Sequence, residues 1–537
     1  MSAITLYSLP TTAAPSPLSG SEPSSPSTAV TSLNGSSEHL PAASGHNHKT
    51  LGFSTRGIHI GSEANKETGA VIPPISLSTT YKQDAIGVHK GYEYTRSSNP
   101  NRNLLEAQLA AIEAGGHTAL AVSSGTAATG LFIASLGAGA HILSVNDVYG
   151  GTSRYLRHVA GTIQGVATSF VDLESSTDET ILAAFQENTR AVWIETPTNP
   201  TLRLIDIPRI VRLAALAPSR PLVLVDNTFM SPFFQSPLAL GADVVLHSIT
   251  KYINGHSDVL MGSLIVASPE AIAGKGGFPH HVDEQSGEDL TTRLRYLQNA
   301  MGAVPSSFDS WLTQRGAKTL AIRMKTHGAN ALRLAHWLST TGVKDGLVKP
   351  GPGGVVYPGM PHTASGGRKG YELVRDVLMS EGARKWSQAG EWEGAKAFAE
   401  SGAEGVPMGG MMSFRIADPL PEVADTFIPT FLGRPGPAPS LQATTAERFL
   451  TTSQLFSLAE SLGGIESLAE LPSLMTHAGL PGEARIALGI TDDLVRLSIG
   501  AEEFEDLRAD VESALRWAVK GEVWHEGEGW VRKVATA

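Results

Sequence analysis

The chain has 537 residues, no cysteine and a formal net charge of -11, so it exceeds the ~250–300 residues at which a single core stops growing and calls for at least two domains. The missing cysteines exclude disulfides, thiolate metal sites and a cysteine nucleophile, and an acidic balance without a basic stripe excludes nucleic-acid binding. No apolar run reaches the ~20 residues of a membrane span, and the first Lys and Arg are Lys49 and Arg56, so no membrane association, secretory leader or Arg-rich presequence is expected and the expected location is the cytoplasm.

Residues 1–48 are Ser, Thr, Pro, Ala and Gly with almost no charge or periodicity, which predicts a disordered tail because too little apolar surface is available to offset ordering entropy. From Ala119 onward, β-rich runs recur at Ala119–Val122, His141–Val145, Ala191–Glu195, Pro221–Asp226 and Ala242–His247. Segments of helical period, including Thr180–Glu187 and Ile207–Ala217, separate them. Runs that are apolar at successive positions suit strands buried on both faces of a parallel sheet. An α/β domain over residues 106–301 follows, with a mostly parallel central sheet and a site at the carboxyl ends of its strands. The polar residues ending these runs, Ser123, Asp147, Glu195, Asp226 and His247, are the ones to examine.

Beyond Gly302 the texture changes to long helical stretches such as Ser307–Leu338, then a mixed segment ending in the strand-like Leu494–Ile499. This predicts a second, smaller α+β domain over 302–537. Thr363–Pro407, Arg434–Thr444 and Gly274–Asp289 are rich in Gly, Ala, Glu and Pro and read as surface insertions without chemistry.

Four segments can carry chemistry. Ala121–Thr129 takes small residues from a strand into a helix, exposing backbone N–H groups at a positive helix end, which suits a phosphate. Trp193–Thr201 holds two prolines that rigidify a loop presenting Asn199. Pro221–Phe229 puts Asp226 at the end of a buried strand, where a carboxylate needs a cation such as a protonated pyridinium nitrogen. Ala242–Asp258 runs from a buried strand into a turn with Ser248, Thr250 and Lys251, where desolvation favours the neutral amine that a Schiff base requires. Taken singly, each has an ordinary structural explanation: a snorkelling lysine, an Asx turn, a Ser-Gly turn, a plain loop.

Together with Tyr92–Arg102, Asp147–Thr152 and Leu458–Gly464, these segments resemble the transsulfuration family of pyridoxal-phosphate enzymes, over most of residues 51–519. The resemblance implies the fold-type I architecture, with 49–105 as an arm reaching a neighbouring subunit. It implies pyridoxal 5'-phosphate held by Lys251 through a Schiff base, Asp226 on the ring nitrogen, Asn199 on the ring oxygen and Tyr149 stacked on the ring. Gly125, Thr126, Ser248 and Thr250 would hold the phosphate, joined by Tyr94 and Arg96 of a second subunit in a dimer of dimers. Arg496 would bind the substrate α-carboxylate, its planar fork suiting that group, with Ser461 and Thr476 positioning it. Lys251 is the expected proton carrier, assisted by Tyr149 as acid or base.

The implied substrate is a small amino acid. An acidic Glu460 resembles members that act at Cγ and hold the distal amino group of cystathionine; otherwise it is a solvated helix glutamate. Likeness to eukaryotic γ-lyases in Tyr92–Arg102, Leu294–Pro305 and Glu466–Pro472, with the double Ser of Arg96–Asn99 resembling fungal ones, favours α,γ-elimination of L-cystathionine to L-cysteine, 2-oxobutanoate and ammonia. The alternatives are γ-replacement on an activated homoserine ester, a sulfhydrylase and an inactive scaffold.

Overall fold

The computed structural model describes residues 51–273, 289–420, 423, 430–431, 434–435 and 444–532. The expected tail over 1–48 and nearly all of the Gly274–Asp289 insertion lie outside them, and Arg434–Thr444 is described only at 434–435 and 444.

Seven strands form the larger sheet: β1 (Thr118–Val122), β2 (His141–Val145), β3 (Ala167–Val171), β4 (Thr189–Glu195), β5 (Leu222–Asp226), β6 (Val244–Ser248) and β7 (Gly262–Val266), in the order β1-β7-β6-β5-β4-β2-β3. Pairs β2–β3, β2–β4, β4–β5 and β5–β6 are parallel. The five apolar runs became strands within two residues of their expected ends. The sequence reading missed β3 and β7. β3 is a half-exposed edge strand, so it lacks the continuous apolar signature. β7 returns antiparallel between β6 and β1, because residues 249–261 form a turn with no crossover helix to carry the chain back for parallel pairing.

The smaller sheet contains β8 (Val355–Val356), β9 (Met411–Arg415), β10 (Ser457–Leu458), β11 (Leu468–Glu470) and β12 (Leu494–Ser498), in the order β10-β11-β12-β9-β8. The helix Phe504–Lys520 buries Leu507, Val511, Ala514, Leu515 and Ala518, a stripe of helical period that packs with Phe414, Val495 and Leu497 of this sheet into a second core.

The expected helical stretch Ser307–Leu338 is two helices, Ser307–Ala317 and Leu320–Trp337. Arg323, near the start of the second, donates to the carbonyls of Gly316, Tyr252 and Ile253 at 2.9, 2.6 and 3.1 Å. One guanidinium thereby terminates the first helix and anchors the turn that follows Lys251. A Cβ on Gly255 would lie 2.1 Å from the same guanidinium, so only glycine allows this approach.

Thr363–Pro407 is not the surface insertion that its composition suggests. It contains the helices Gly367–Leu373, Glu381–Gln388 and Ala395–Glu400. Tyr371, Val374, Leu378, Met379 and Ala383 are buried in the core of the large sheet, whereas Phe398 joins the core of the small one. Ser380 donates its N–H to the Phe234 carbonyl and its hydroxyl to that of Phe233. The first helix runs on into a π-helical turn at Val374–Leu378, whose different period breaks the pattern, and the other two, parted by the left-handed Gly390 and Gly394, have too few turns for an apolar period to emerge.

Candidate active site

A cavity of about 270 Å³ opens at the carboxyl ends of β4, β5 and β6, and its far wall comes from the small-sheet domain. Twelve of the fourteen residues given a cofactor or substrate role from the sequence line it: Gly125, Thr126, Tyr149, Asn199, Asp226, Ser248, Thr250, Lys251, Glu460, Ser461, Thr476 and Arg496. The other two, Tyr94 and Arg96, do not line it. Tyr94 is exposed, with the Arg96 guanidinium 5.6 Å from its ring centroid, and Arg96 donates to the Asn299 carbonyl at 3.0 Å.

At one end of the cavity Ser124 caps the helix Gly125–Leu136, its hydroxyl accepting from the Ala127 N–H at 3.0 Å. The first-turn N–H groups of Gly125 and Thr126 have no intrahelical acceptor and present positive charge. A Cβ on Gly125 would meet the Ser248 Cβ at 3.1 Å, so the glycine lets the helix end sit against the end of β6. A phosphate fits this cradle.

Asp226 ends β5. Its Oδ1 accepts from the N–H and hydroxyl of Thr228, at 3.0 and 2.6 Å, and among the described residues it has no ion-pair partner. Burial raises its carboxyl above the ordinary range. In register with it on β4 stands Glu195, whose Oε2 accepts the Tyr149 N–H at 2.9 Å. Burial, and then the neighbouring Asp226, hold the Glu195 carboxyl well above its usual value. Two adjacent buried carboxyls without a cation form a donor set that a protonated ring nitrogen completes.

Lys251 lies in the turn after β6, and its Nζ donates to the Ser461 hydroxyl at 2.6 Å. Burial first, then the Arg496 charge, bring its ammonium down to about 8, so an appreciable fraction is the neutral amine near neutral pH. Ser461 has φ +91, a conformation that a non-glycine residue adopts at a cost, and its carbonyl accepts from Arg496 Nη2 at 2.8 Å.

Tyr149 sits beside two glycines that let neighbouring groups approach closely, one its own ring and the other the Thr476 backbone. A Cβ on Gly151 would lie 2.4 Å from the Tyr149 ring, and one on Gly150 would lie 2.6 Å from the Thr476 carbonyl. Burial, then Glu460, raise the Tyr149 phenol above its ordinary value, which holds it in the protonated, proton-donating form. The loop carrying Asn199 is tied to the Tyr149 loop by Asp147, which accepts from the hydroxyls of Thr198, at 2.6 Å, and Thr201. Burial pushes the Asp147 carboxyl up to about 6.

On the opposite wall, buried Arg496 of β12 donates to Asn199 Oδ1 at 3.0 Å and pairs with Glu470 of β11 at 2.8 Å. Glu460 is exposed and lines the cavity in an irregular segment, so it is solvated but does not lie on a helix. The sequence reading flagged Glu195 only as a strand end. It missed Thr228 and Glu470, although Glu470 lies inside the quoted Glu466–Pro472 motif. A larger cavity of about 490 Å³ lies between the Thr201 loop, His362–Gly367 and Arg415. Its arginines pair with Asp172 and Asp493, and its lining holds no lysine and no carboxylate, so it offers no set comparable with Lys251, Asp226 and Arg496.

A model of the Cys/Met metabolism PLP-dependent enzyme family matches residues 54–379 and 438–516. The chain is 41% identical over 468 residues to a putative cystathionine gamma-lyase 2 of Caenorhabditis elegans, covering 87% of this chain and 98% of that one. It is 41% identical to the human cystathionine gamma-lyase, covering 87% and 94%. Among solved structures, yeast cystathionine gamma-lyase aligns with a TM-score of 0.68 at 38% identity, covering 87% of this chain and 98% of that one. A cystathionine gamma synthase from Xanthomonas oryzae pv. oryzae, in complex with cystathionine, gives 0.67 at 32%, with the same coverages.

Proposed function

The chain belongs to the Cys/Met metabolism PLP-dependent enzyme family, and from that premise we propose that it cleaves L-cystathionine by α,γ-elimination to L-cysteine, 2-oxobutanoate and ammonia. The observation that carries this reading is one cavity joining a low-pKa lysine, an acidic end with no cation of its own, a buried arginine and a carboxylate at the mouth. Its relatives with that activity reach 41–42% identity over most of the chain.

Bound pyridoxal phosphate supplies an electron sink for negative charge developing at the substrate Cα. Lys251 would hold the cofactor, Asp226 would keep its ring nitrogen protonated, and Tyr149 and Asn199 would fix the ring. Gly125, Thr126, Ser248 and Thr250 would hold its phosphate. Arg496 receives the α-carboxylate, while Glu460 receives the distal ammonium. With substrate in place, the Lys251 amine would remove the Cα proton, deliver it to the electron sink that the cofactor supplies and, neutral again, remove a Cβ proton, with Ser461 holding Nζ near both positions. The protonated Tyr149 phenol is placed to donate a proton to the sulfur leaving Cγ.

Tyr94 and Arg96 would complete the phosphate site from a neighbouring subunit, in a dimer of dimers in the cytoplasm. Support for the assembly comes from the arm, where Val71, Leu77, Ile86 and Val88 are all more than half exposed in the single chain. No helix among the described residues is long and apolar enough to cross a membrane.

Purified enzyme incubated with cystathionine should yield cysteine and 2-oxobutanoate, and Lys251→Ala should abolish both this activity and the visible cofactor band. Net formation of cystathionine from an activated homoserine ester and cysteine, with little cleavage, would replace the lyase assignment by a synthase.

A further inference from the structure

The guanidinium of Arg496 is occupied before any substrate arrives. Its Nη1 faces Glu470 Oε1 at 2.8 Å and Asn199 Oδ1 at 3.0 Å, and its Nη2 faces the Ser461 carbonyl at 2.8 Å. Glu470 and Arg496 are cross-strand partners in register on β11 and β12, with side chains only 0% and 3% exposed. The register and the antiparallel pairing leave this carboxylate no other place to go.

Two further observations separate Glu470 from a simple structural ion pair. Its Oε1 also accepts the Thr476 hydroxyl at 2.7 Å, and that hydroxyl is 2.9 Å from His477 Nδ1. Its Oε2, in contrast, is buried without a hydrogen-bond partner. An orphaned carboxylate oxygen in a closed site is costly. A glutamine would supply the same bonds through Oε1 alone, so what the acid adds is its charge. That charge lies directly against the group assigned to the substrate α-carboxylate.

We propose that Glu470 is a positioning residue that tempers the affinity of the site for amino-acid carboxylates, holding the Arg496 fork in place while offsetting part of its charge. The proposal rests on the assignment of Arg496 to the α-carboxylate. An arginine facing the cavity with its full charge would bind every amino acid, product and bystander alike, more tightly. Repulsion between Glu470 and the incoming carboxylate weakens that binding and speeds release, whereas the fixed fork preserves its direction. The other charges facing the pair are Lys251 and Glu460 across the cavity, and among the described residues Glu470 is the carboxylate that pairs with Arg496.

The test uses the holoenzyme and two small probes, glycine and methylamine, which differ only by the carboxylate, each followed through the change in the visible absorbance of the bound cofactor. Glu470→Gln should bind glycine about tenfold more tightly, the scale of one unit charge a few ångströms away in a partly screened site, with methylamine unchanged. In turnover the same variant should show KM and kcat falling together as release slows. Glu470→Ala, which frees the fork, should instead weaken glycine binding about tenfold or more. Glycine affinity in Glu470→Gln equal to or weaker than that of the parent overturns the proposal. The underlying assignment is tested separately by Arg496→Lys: if the ratio of glycine to methylamine affinity is unmoved there, the carboxylate site lies elsewhere, whatever Glu470 does.

Discussion

At the scale of single residues, the site is organised by buried acids as much as by its lysine. Asp147 is the clearest example, because burial pushes its carboxyl up to about 6 in the folded chain from an ordinary value of 3.8. The folded state therefore holds this proton more tightly than the unfolded one. Its contribution to stability is intact below pH 4 and is lost as the pH rises through 6, at a cost of about 3 kcal/mol once both states are ionised. Asp147→Asn keeps an oxygen for Thr198 and Thr201 but cannot ionise. Its stability relative to the parent should rise by about 2–3 kcal/mol between pH 4 and pH 7.5, measured by urea unfolding at both pH values. A difference that stays flat with pH would show that Asp147 is not the titrating group. None of this was visible in the sequence, where Asp147 was only a polar residue ending a strand, since burial and threonine partners 51 and 54 positions away come from the fold.

Among the elements, legibility followed length of pattern. Five continuous apolar runs announced the central strands, and the acids and hydroxyls at their ends led to most of the cavity. The Ala121–Thr129 turn and the Lys251 turn could be read because a strand end followed by small or hydroxyl residues has few uses. Glu470 could not, because its meaning depends on a cross-strand register that no local pattern encodes. The short helices of Thr363–Pro407 were misread for a similar reason: one or two turns each give no period. Their packing has a measurable consequence. Trp386 lies edge-on to the rings of Phe233 and Phe234, at centroid distances of 6.1 and 6.3 Å. Trp386→Ala should cost about 3 kcal/mol in unfolding free energy while leaving kcat near that of the parent. A loss below ~1 kcal/mol would return the segment to the status of a surface appendage.

For the whole molecule, the arm is where the proposed sharing of sites between subunits can be tested. Tyr94 and Arg96 are expected at a neighbouring subunit's phosphate, and within the single chain Arg96 bonds the Asn299 carbonyl. If sites are shared, subunits carrying Lys251→Ala mixed with subunits carrying Arg96→Ala should regain activity, since some hybrid sites take both intact residues; with random assortment in dimers, roughly one site in four is whole. Mixtures no more active than their components would confine each site to its own subunit. Within the chain, the segment Thr363–Pro407 has a bearing on heat. It places side chains in both hydrophobic cores, so neither core can melt without stripping apolar surface from the other. Seen calorimetrically, it is a non-covalent rivet that joins the enthalpies of two lobes. Scanning calorimetry should then show one unfolding peak for the two lobes, and two separate peaks would show that the segment does not join them.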